Sequence, residues 1–593
     1  MRNINTQSGI ALIIFLTILV LGTTAVLLSK LNKNRTAFML EDQAQTARAL
    51  AQAKDALLGH AMIYAETHDG QPQGYLPCPD HDGDGSASAC GDDGHSVIGR
   101  LPWRTLGLPL LRDGSGECLW YAVSGGYKNN PKQPLTSDTD GLFIVKNAKN
   151  ETIAGTTEAE RAIAIIFAPG RPIGGQVRAA TNGSMTECGS TDINDYLNKA
   201  SNYLDNFQGI SNATGDKDII DNTNDDILKR RPSISANFWV TASPSYTPTF
   251  INAPLTREYF NDALMLITPK DFEPVYNRMN YWVMERVISC IEEYNTQYLK
   301  DYKARYATAI TEYKDTYSDE INKYVEYHRD AWIERWKKQY QEDPTSHDTP
   351  VPTTKEITKK ETQLREIAVK FTNKYPWASK VDSSYETDEV GQLFGRIPDA
   401  PSESYKKNND MAGTWENIKY ADVPCFNFED SNLLEGNKWG WWNAWRDMVF
   451  YAVDEKNSPS TLAYLWVGYY GVGYDKTDAF ATISSAGILI KYNEFAANSV
   501  PEPLSTELQL NSSGQEKIVI VAGRKLVLNE GNPPSDPNPE YQQKRSSADD
   551  QKEIKNYLEG DNSDGDKSYE SQIATPDFND FVCTHNYNCK EPK

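Results

Sequence analysis

The sequence predicts an α+β fold. It has a long N-terminal helix that starts in a membrane and continues amphipathically, two related heads of antiparallel sheet with packed helices, and a long charged helical insertion. Three observations lead there. Ile10–Leu28 carries no charge and is followed by an apolar period of 3.6 residues. Six short motifs occur twice in the same order. Gln297 to Gln341 contains neither Gly nor Pro and sets Tyr and Trp at helical spacing among alternating charges.

The elements follow in order. Residues 1–9 (MRNINTQSG) form a short polar leader, and residues 10–30 are long enough to cross a hydrocarbon layer of roughly 30 Å. No second apolar run is that long. Over residues 31–67 the helix continues: Met39, Leu40, Ala44, Ala47, Leu50, Ala51, Leu57, Leu58, Ala61 and Met62 recur at steps of three and four, with polar residues on the other face.

The first head occupies residues 68–270 and the second residues 373–593, each preceded by a helix, residues 31–67 for the first and Asp271 to about Tyr298 for the second. The first offers Tyr75-Leu-Pro, Gly99-Arg-Leu-Pro, Trp120-Tyr-Ala-Val, Ile165 to Arg171, Tyr203-Leu-Asp and Phe260-Asn-Asp. The second offers Tyr375-Pro-Trp, Gly395-Arg-Ile-Pro, Phe450-Tyr-Ala-Val, Ile518 to Arg524, Tyr557-Leu-Glu and Phe578-Asn-Asp. Short β-rich runs bounded by turn residues supply the strands. Between the heads, residues 271–372 form a long helix and a helical hairpin. Asp343-Pro344 and Pro350-Val-Pro352 break the helix, and Thr358 to about Thr372 returns as its partner.

The net charge of −22 and sequence pI near 4.9 exclude nucleic acid as the main partner, because phosphate binding needs a basic face. With 39% hydrophobic and 11% aromatic residues, packed cores are expected. No HExxH, GxSxG, Walker or GxGxxG motif is present, so no enzyme is predicted and no catalytic residue is assigned. WGWWNAW, Trp439 to Trp445, reads as core and rim of the second head more than as a glycan surface.

Eight cysteines in an exported chain predict disulfides. Short loops pair Cys78 with Cys90 and Cys583 with Cys589. Cys118–Cys188 and Cys290–Cys425 complete one of the several connectivities that eight cysteines allow. Within the first loop, Asp80, Asp82 and Asp84 followed by Gly85 match the first half of a DxDxDG calcium loop, with Asp92 or Asp93 expected to close the shell around a structural calcium. The twelfth position is Gly91 and not Glu, so the loop is not an EF-hand. A solvated Asp-Gly turn is the plain alternative. Cys78, His81, Cys90 and His95 form a weaker zinc set.

The leader ending in Ser8-Gly9, with the apolar helix following at once, resembles the prepilin leader of type IV pilins and type II secretion pseudopilins. A cleavable secretory signal fits less well, since the run is long and Ser29-Lys30-Leu31 is a poor cleavage site. A plain signal anchor fits the length alone. The resemblance implies that prepilin peptidase cuts between Gly9 and Ile10, leaving Ile10 as the new and methylated N-terminus. It implies a single pass in the inner membrane, a head in the periplasm or on the cell surface, and other pilin or pseudopilin subunits as partners. Most such subunits carry Glu at the fifth mature position, and here that position is Ile14. Its absence is typical of the minor subunit proposed to cap type II secretion pseudopili. The heads are also similar to large pilin-like proteins of Gram-negative bacteria with LPCPD, GRLPW and YAV segments. The function implied is a minor, tip or low-copy filament subunit; the alternative is a membrane-anchored periplasmic binding protein or adhesin outside any filament.

Overall fold

The computed structural model describes residues 38–68, 70–80, 83–87, 89–91, 94–178, 188, 199–215, 240–242, 247–255, 259–316, 318–367, 375–381, 392–398, 441–454, 457, 480–483, 488–491, 508–525, 527–528, 541–542, 545, 549–564, 568–571 and 579–584. Among them no helix is long and apolar enough to cross a membrane. Gly9, Ile10, Ile14 and the uncharged run lie outside them. The chain divides into Met1–Tyr276 and Asn277–Lys593. The boundary therefore falls inside a helix, and most of the helical insertion belongs with the second unit.

In the first unit, helix α1 (residues 38–67) buries Ala49, Leu50, Ala53, Leu57, Ala61 and Tyr64, a stripe at helical spacing. The stripe starts later than the sequence suggests. Phe38 and Leu40 are 67% and 62% exposed, and Ala44 and Ala47 are exposed too. The first turns touch the head through polar groups: Gln45 Nε2 donates to the Asp113 carbonyl at 3.0 Å, and the Gly114 N–H donates to Thr46 Oγ1 at 2.9 Å.

The strands of this unit are β1 (Ser96–Arg100), β2 (Trp120–Val123), β3 (Ile144–Asn147), β4 (Thr152–Ala154), β5 (Ala164–Ala168), β6 (Asn206–Phe207), β7 (Ile210–Ser211), β8 (Val240–Ala242), β9 (Thr249–Asn252) and β10 (Ala263–Ile267). Five form an antiparallel sheet in the order β10-β5-β2-β1-β8, and β4-β3-β9 form a small mixed sheet. β2 and β5 are buried throughout, as strands covered on both faces must be. One face carries Trp120, Ala122, Ile165 and Phe167 into a core with Val145 and Phe250 of the small sheet. Helix α2 (Pro269–Thr316) follows β10. Its first turns join this unit through Lys54–Asp271 at 2.6 Å and Phe272 edge-on to Tyr127.

In the second unit, α2 continues with Met279, Val283, Val287 and Ile291 buried. Helix α3 (Ser318–Glu342) is followed by α4 (Thr354–Ile367), which packs back along it; Arg329 meets Glu361 at 3.0 Å and Trp336 donates to the Thr349 carbonyl at 3.0 Å. The strands are β11 (Phe394–Arg396), β12 (Val449–Val453), β13 (Phe480–Ile483), β14 (Ile488–Lys491), β15 (Gln509–Leu510), β16 (Ser513–Gly514), β17 (Lys517–Val521), β18 (Val527–Leu528), β19 (Tyr541–Gln542), β20 (Ser568–Tyr569) and β21 (Phe581–Cys583). The main sheet is antiparallel, ordered β11-β12-β17-β21, and β16-β15-β20 form a small mixed sheet. Lys517 reaches Glu292, so α2 lies on the Lys517 face of this sheet.

The two units repeat one another strand by strand. β1-β2-β5-β10 corresponds to β11-β12-β17-β21, and β4-β3-β9 to β16-β15-β20, in the same chain order. Register matches as well. Arg100 opposes Trp120 as Arg396 opposes Phe450, and Trp120 opposes Phe167 as Phe450 opposes Ile520. Asp80 bridges Arg100 as Ser379 bridges Arg396. This places Leu76, not Tyr75, opposite Tyr375: each N–H donates to the carbonyl four residues past the Tyr-Ala-Val strand, on Tyr127 and Asn457. The tyrosine match read from sequence is one residue out of register. The hairpin β13–β14 is an insertion of the second unit.

Candidate functional site

The repeated motifs converge on one buried polar knot in each unit. It begins where β5 and β17 end. Gly170 has φ 62°, and a Cβ there would stand 2.8 Å from Asn261 Cγ; a Cβ at Gly523 would overlap Asn579. Each glycine thus lets an asparagine close on the turn. Asn261 Nδ2 donates to the Arg171 carbonyl at 2.6 Å, and Asn579 Nδ2 to the Arg524 carbonyl at 2.7 Å.

A 3-10 turn, Ala200–Asn202 or Ile554–Asn556, then presents a tyrosine. Tyr203 lies between two guanidinium groups, Arg100 at 4.6 Å and Arg178 at 5.0 Å; Tyr557 lies between Arg396 at 4.5 Å and Arg545 at 4.7 Å. Arg100 and Arg396 also stack over their cross-strand neighbours Trp120 and Phe450. Arg178 donates to the carbonyls of Asn202 (2.9 Å), Gly170 (2.6 Å) and Tyr203 (3.1 Å). Arg545 repeats these bonds to Asn556 (2.6 Å), Gly523 (2.9 Å) and Tyr557 (3.3 Å).

At the centre sit two carboxyls. Asp262 Oδ2 accepts the Asp205 N–H at 2.8 Å and Asn212 Nδ2 at 3.0 Å. Asp580 Oδ2 accepts the Glu559 N–H at 3.0 Å and Asn562 Nδ2 at 3.1 Å. The outer carboxyl answers: Asp205 Oδ2 accepts the Asn261 N–H at 2.6 Å, and Glu559 Oε2 accepts the Asn579 N–H at 3.0 Å. Asn212 and Asn562 also clasp the backbone of Ile251 and Glu570 through both N–H and carbonyl. Burial, with the neighbouring Asp205 charge second, pushes Asp262 well above the usual carboxylate range; burial and then Glu559 do the same to Asp580. Burial raises Asp205 as well, against the hydrogen bonds it accepts. Asp262 and Asp580 are buried, so the knot offers its oxygens to protein groups. It ties the β5 and β17 ends, the 3-10 turn, the small sheet and the last strand together.

The residues singled out from sequence fall in several places. Cys78–Cys90 and Cys118–Cys188 are disulfides. Cys290 and Cys583 are disulfide-bonded too, while Cys425 and Cys589 lie outside the described residues. The first bond uses both thiols that a zinc site at Cys78, His81, Cys90 and His95 needs, which removes that set. Of the calcium ligands, Asp82 and Asp92 lie outside the described residues. Asp80 is buried, its Oδ1 accepting the Gly83 N–H at 2.9 Å and its Oδ2 the Gly85 N–H at 2.8 Å. Asp84 accepts the Ser86 N–H at 2.6 Å and faces Arg104 at 4.0 Å. Among the described residues no group of three His, Cys, Asp or Glu is placed to hold a metal ion. Trp441, Trp442 and Trp445 are buried, as core residues are.

Sequence reading missed Arg178, Arg545, Asn212 and Asn562. They lie beyond the quoted motifs, at unequal distances: Asn212 is seven residues past Asp205, but Asn562 only three past Glu559. The one available signal was a shared Asn after each Tyr-Leu-acid motif. No protein-family model matches the chain, and no curated protein or solved structure matches it.

Proposed function

We propose that the chain is a minor subunit, at the tip or at low copy, of a type IV pilus-like or type II secretion pseudopilus-like filament. Prepilin peptidase cleaves it between Gly9 and Ile10. Residues 10–30 hold it in the inner membrane until assembly, and other pilin or pseudopilin subunits are its partners. The observation that supports this most is α1. Its head-facing stripe is buried only from Ala49, while Phe38 and Leu40 stay 67% and 62% exposed just past the uncharged run. An apolar helix surface that leaves its own head uncovered is suited to packing on neighbouring helices. Ile14 in place of Glu favours a position with no subunit above it. The doubled head, with α3 and α4 added, is bulk that a tightly packed shaft does not accommodate.

The test is the mass of the N-terminal peptide from protein purified from native membranes. A chain beginning at methylated Ile10 is expected. An intact Met1 would replace this reading with a signal anchor carrying a periplasmic binding head.

A further inference from the structure

The two inner carboxyls are solvated asymmetrically, and in the same way twice. Asp262 takes both of its donors on Oδ2, and Asp580 does likewise. In both, Oδ1 is buried and receives no N–H donor, and the Asp580 carboxyl also lies against that of Glu559, a contact that becomes a hydrogen bond only with a proton on one of the two. The outer carboxyl is treated differently: Asp205 accepts the Asn261 and Asp262 N–H groups on Oδ2 and Gln176 Nε2 on Oδ1, at 2.6, 3.2 and 2.9 Å. Three N–H donors spread over two oxygens suit a carboxylate. Two donors on one oxygen and none on the other suit a carboxylic acid, whose carbonyl oxygen accepts and whose hydroxyl is neutral.

The charged groups facing the first knot are Arg100 over Tyr203, Arg178, Glu117 (3.2 Å from Arg178), Asp113 (2.8 Å from the Gly170 N–H), Asp205 and Asp262, two cations to four acids. Arg396 over Tyr557, Arg545, Glu559 and Asp580 face the second. A second bare carboxylate beside the first, fully out of water, is the costliest arrangement available, and a proton on the inner member removes that cost. Burial raises the inner carboxyl in both units, in line with the geometry.

We propose that each unit keeps one proton on its inner aspartate, Asp262 in the first and Asp580 in the second, as a standing part of the fold. The knots then act as two alkali-sensitive latches. When base in the solvent takes the Oδ1–H proton, the new carboxylate faces Asp205 or Glu559 with no donor on Oδ1, and the strand ends tied by the knot come apart. This inference is independent of the filament reading.

The experiment uses the full-length chain in detergent micelles. Thermal unfolding is followed from about pH 5 to about pH 9, above the range where unfolded carboxyls have lost their protons. Above about pH 6.5, where His60 is mostly neutral in both states, the folded state binds more protons than the unfolded one, so the wild-type midpoint falls as pH rises. The double variant D262N/D580N carries a neutral isostere and is expected to flatten that fall by one proton per unit. Asp205→Asn, which removes the ionised member, is expected to lower the midpoint at every pH and keep the slope. The proposal is overturned if D262N/D580N keeps the wild-type slope and loses as much stability at neutral pH as Asp205→Asn. Should the double variant not fold, infrared spectra of the wild type decide. A protonated-carboxyl carbonyl band at neutral pH that vanishes on alkaline unfolding upholds the latch, and its absence at neutral pH ends it.

Discussion

Removing the clasping asparagine should cost more in the first unit than in the second. Asn212 is fully buried and makes three bonds: to the Ile251 carbonyl (3.0 Å), from the Ile251 N–H (2.9 Å) and to Asp262 (3.0 Å). Asn212→Ala strands the Ile251 N–H and carbonyl on a residue that is itself fully buried. At about 1–3 kcal/mol for each buried group left unpaired, with partial relaxation, the loss is about 3–5 kcal/mol. Asn562 makes the same three bonds, to Glu570 and Asp580, but Glu570 is half-buried. Water can replace part of what Asn562→Ala removes, and the loss is about 2–3 kcal/mol. The assay is denaturant unfolding of the full chain followed by far-ultraviolet circular dichroism and fitted as two transitions. Each variant should move a different transition. Equal losses, a larger loss for Asn562→Ala, or a loss below about 1 kcal/mol for Asn212→Ala would refute the reasoning.

Further outcomes follow from single sites. In Gly395→Ala the new Cβ would overlap the Ser379 carbonyl oxygen, so the Ser379–Arg396 bridge must give way at about 3 kcal/mol, read as an earlier unfolding midpoint. His60 is lowered from 6.5 to about 4 by burial and then by the His68 charge. A base depressed in the fold costs stability as pH falls from 6.5 towards 4, because the unfolded chain takes the proton first. His60→Gln should therefore flatten the acid side of a stability–pH curve in that window, and an unchanged acid limb counts against a neutral, half-buried His60. For a calcium loop at Asp80, Asp82, Asp84 and Asp92, a chelator lowers the wild-type melting temperature and leaves Asp82→Ala unmoved. Melting that ignores the chelator in both chains removes calcium from the account.

The strands and the duplication were legible because β-structure writes itself into short contiguous runs. Trp120 to Val123 and Phe450 to Val453 became β2 and β12, and Gly-Arg before each first strand's end marked the stacked arginine. The knot was half legible. Tyr203-Leu-Asp and Phe260-Asn-Asp were visible as motifs, but a motif does not say which group it grips. Arg178 and Asn212 join through space, across loops whose lengths differ between the copies, and no period along the chain encodes that. The stripe on α1 was readable in its spacing, but not where its cover begins. Leu40 and Leu50 look alike in sequence; only the position of the head makes one exposed and the other buried. The slip at Tyr75 and Tyr375 has a similar cause, since identity of residue type outweighed a one-residue shift that only backbone pairing reveals.

Two copies of one module in a single chain also record what that module tolerates. Trp120 against Phe450 and Phe167 against Ile520 are changes of volume at paired strand positions, absorbed by neighbours that differ too. Asp205 against Glu559 stretches one carboxyl by a methylene while its bond to the following strand is kept. The stacked arginines, the tyrosine between them, the clasping asparagine and the inner aspartate do not vary at all. Where the copies diverge in kind, at Cys78 against Trp377, Asp80 against Ser379 and Ala164 against Lys517, the scaffold leaves a residue free to take on separate work. A randomised library built in one unit, with the other left intact, would draw that same line between fixed and negotiable positions.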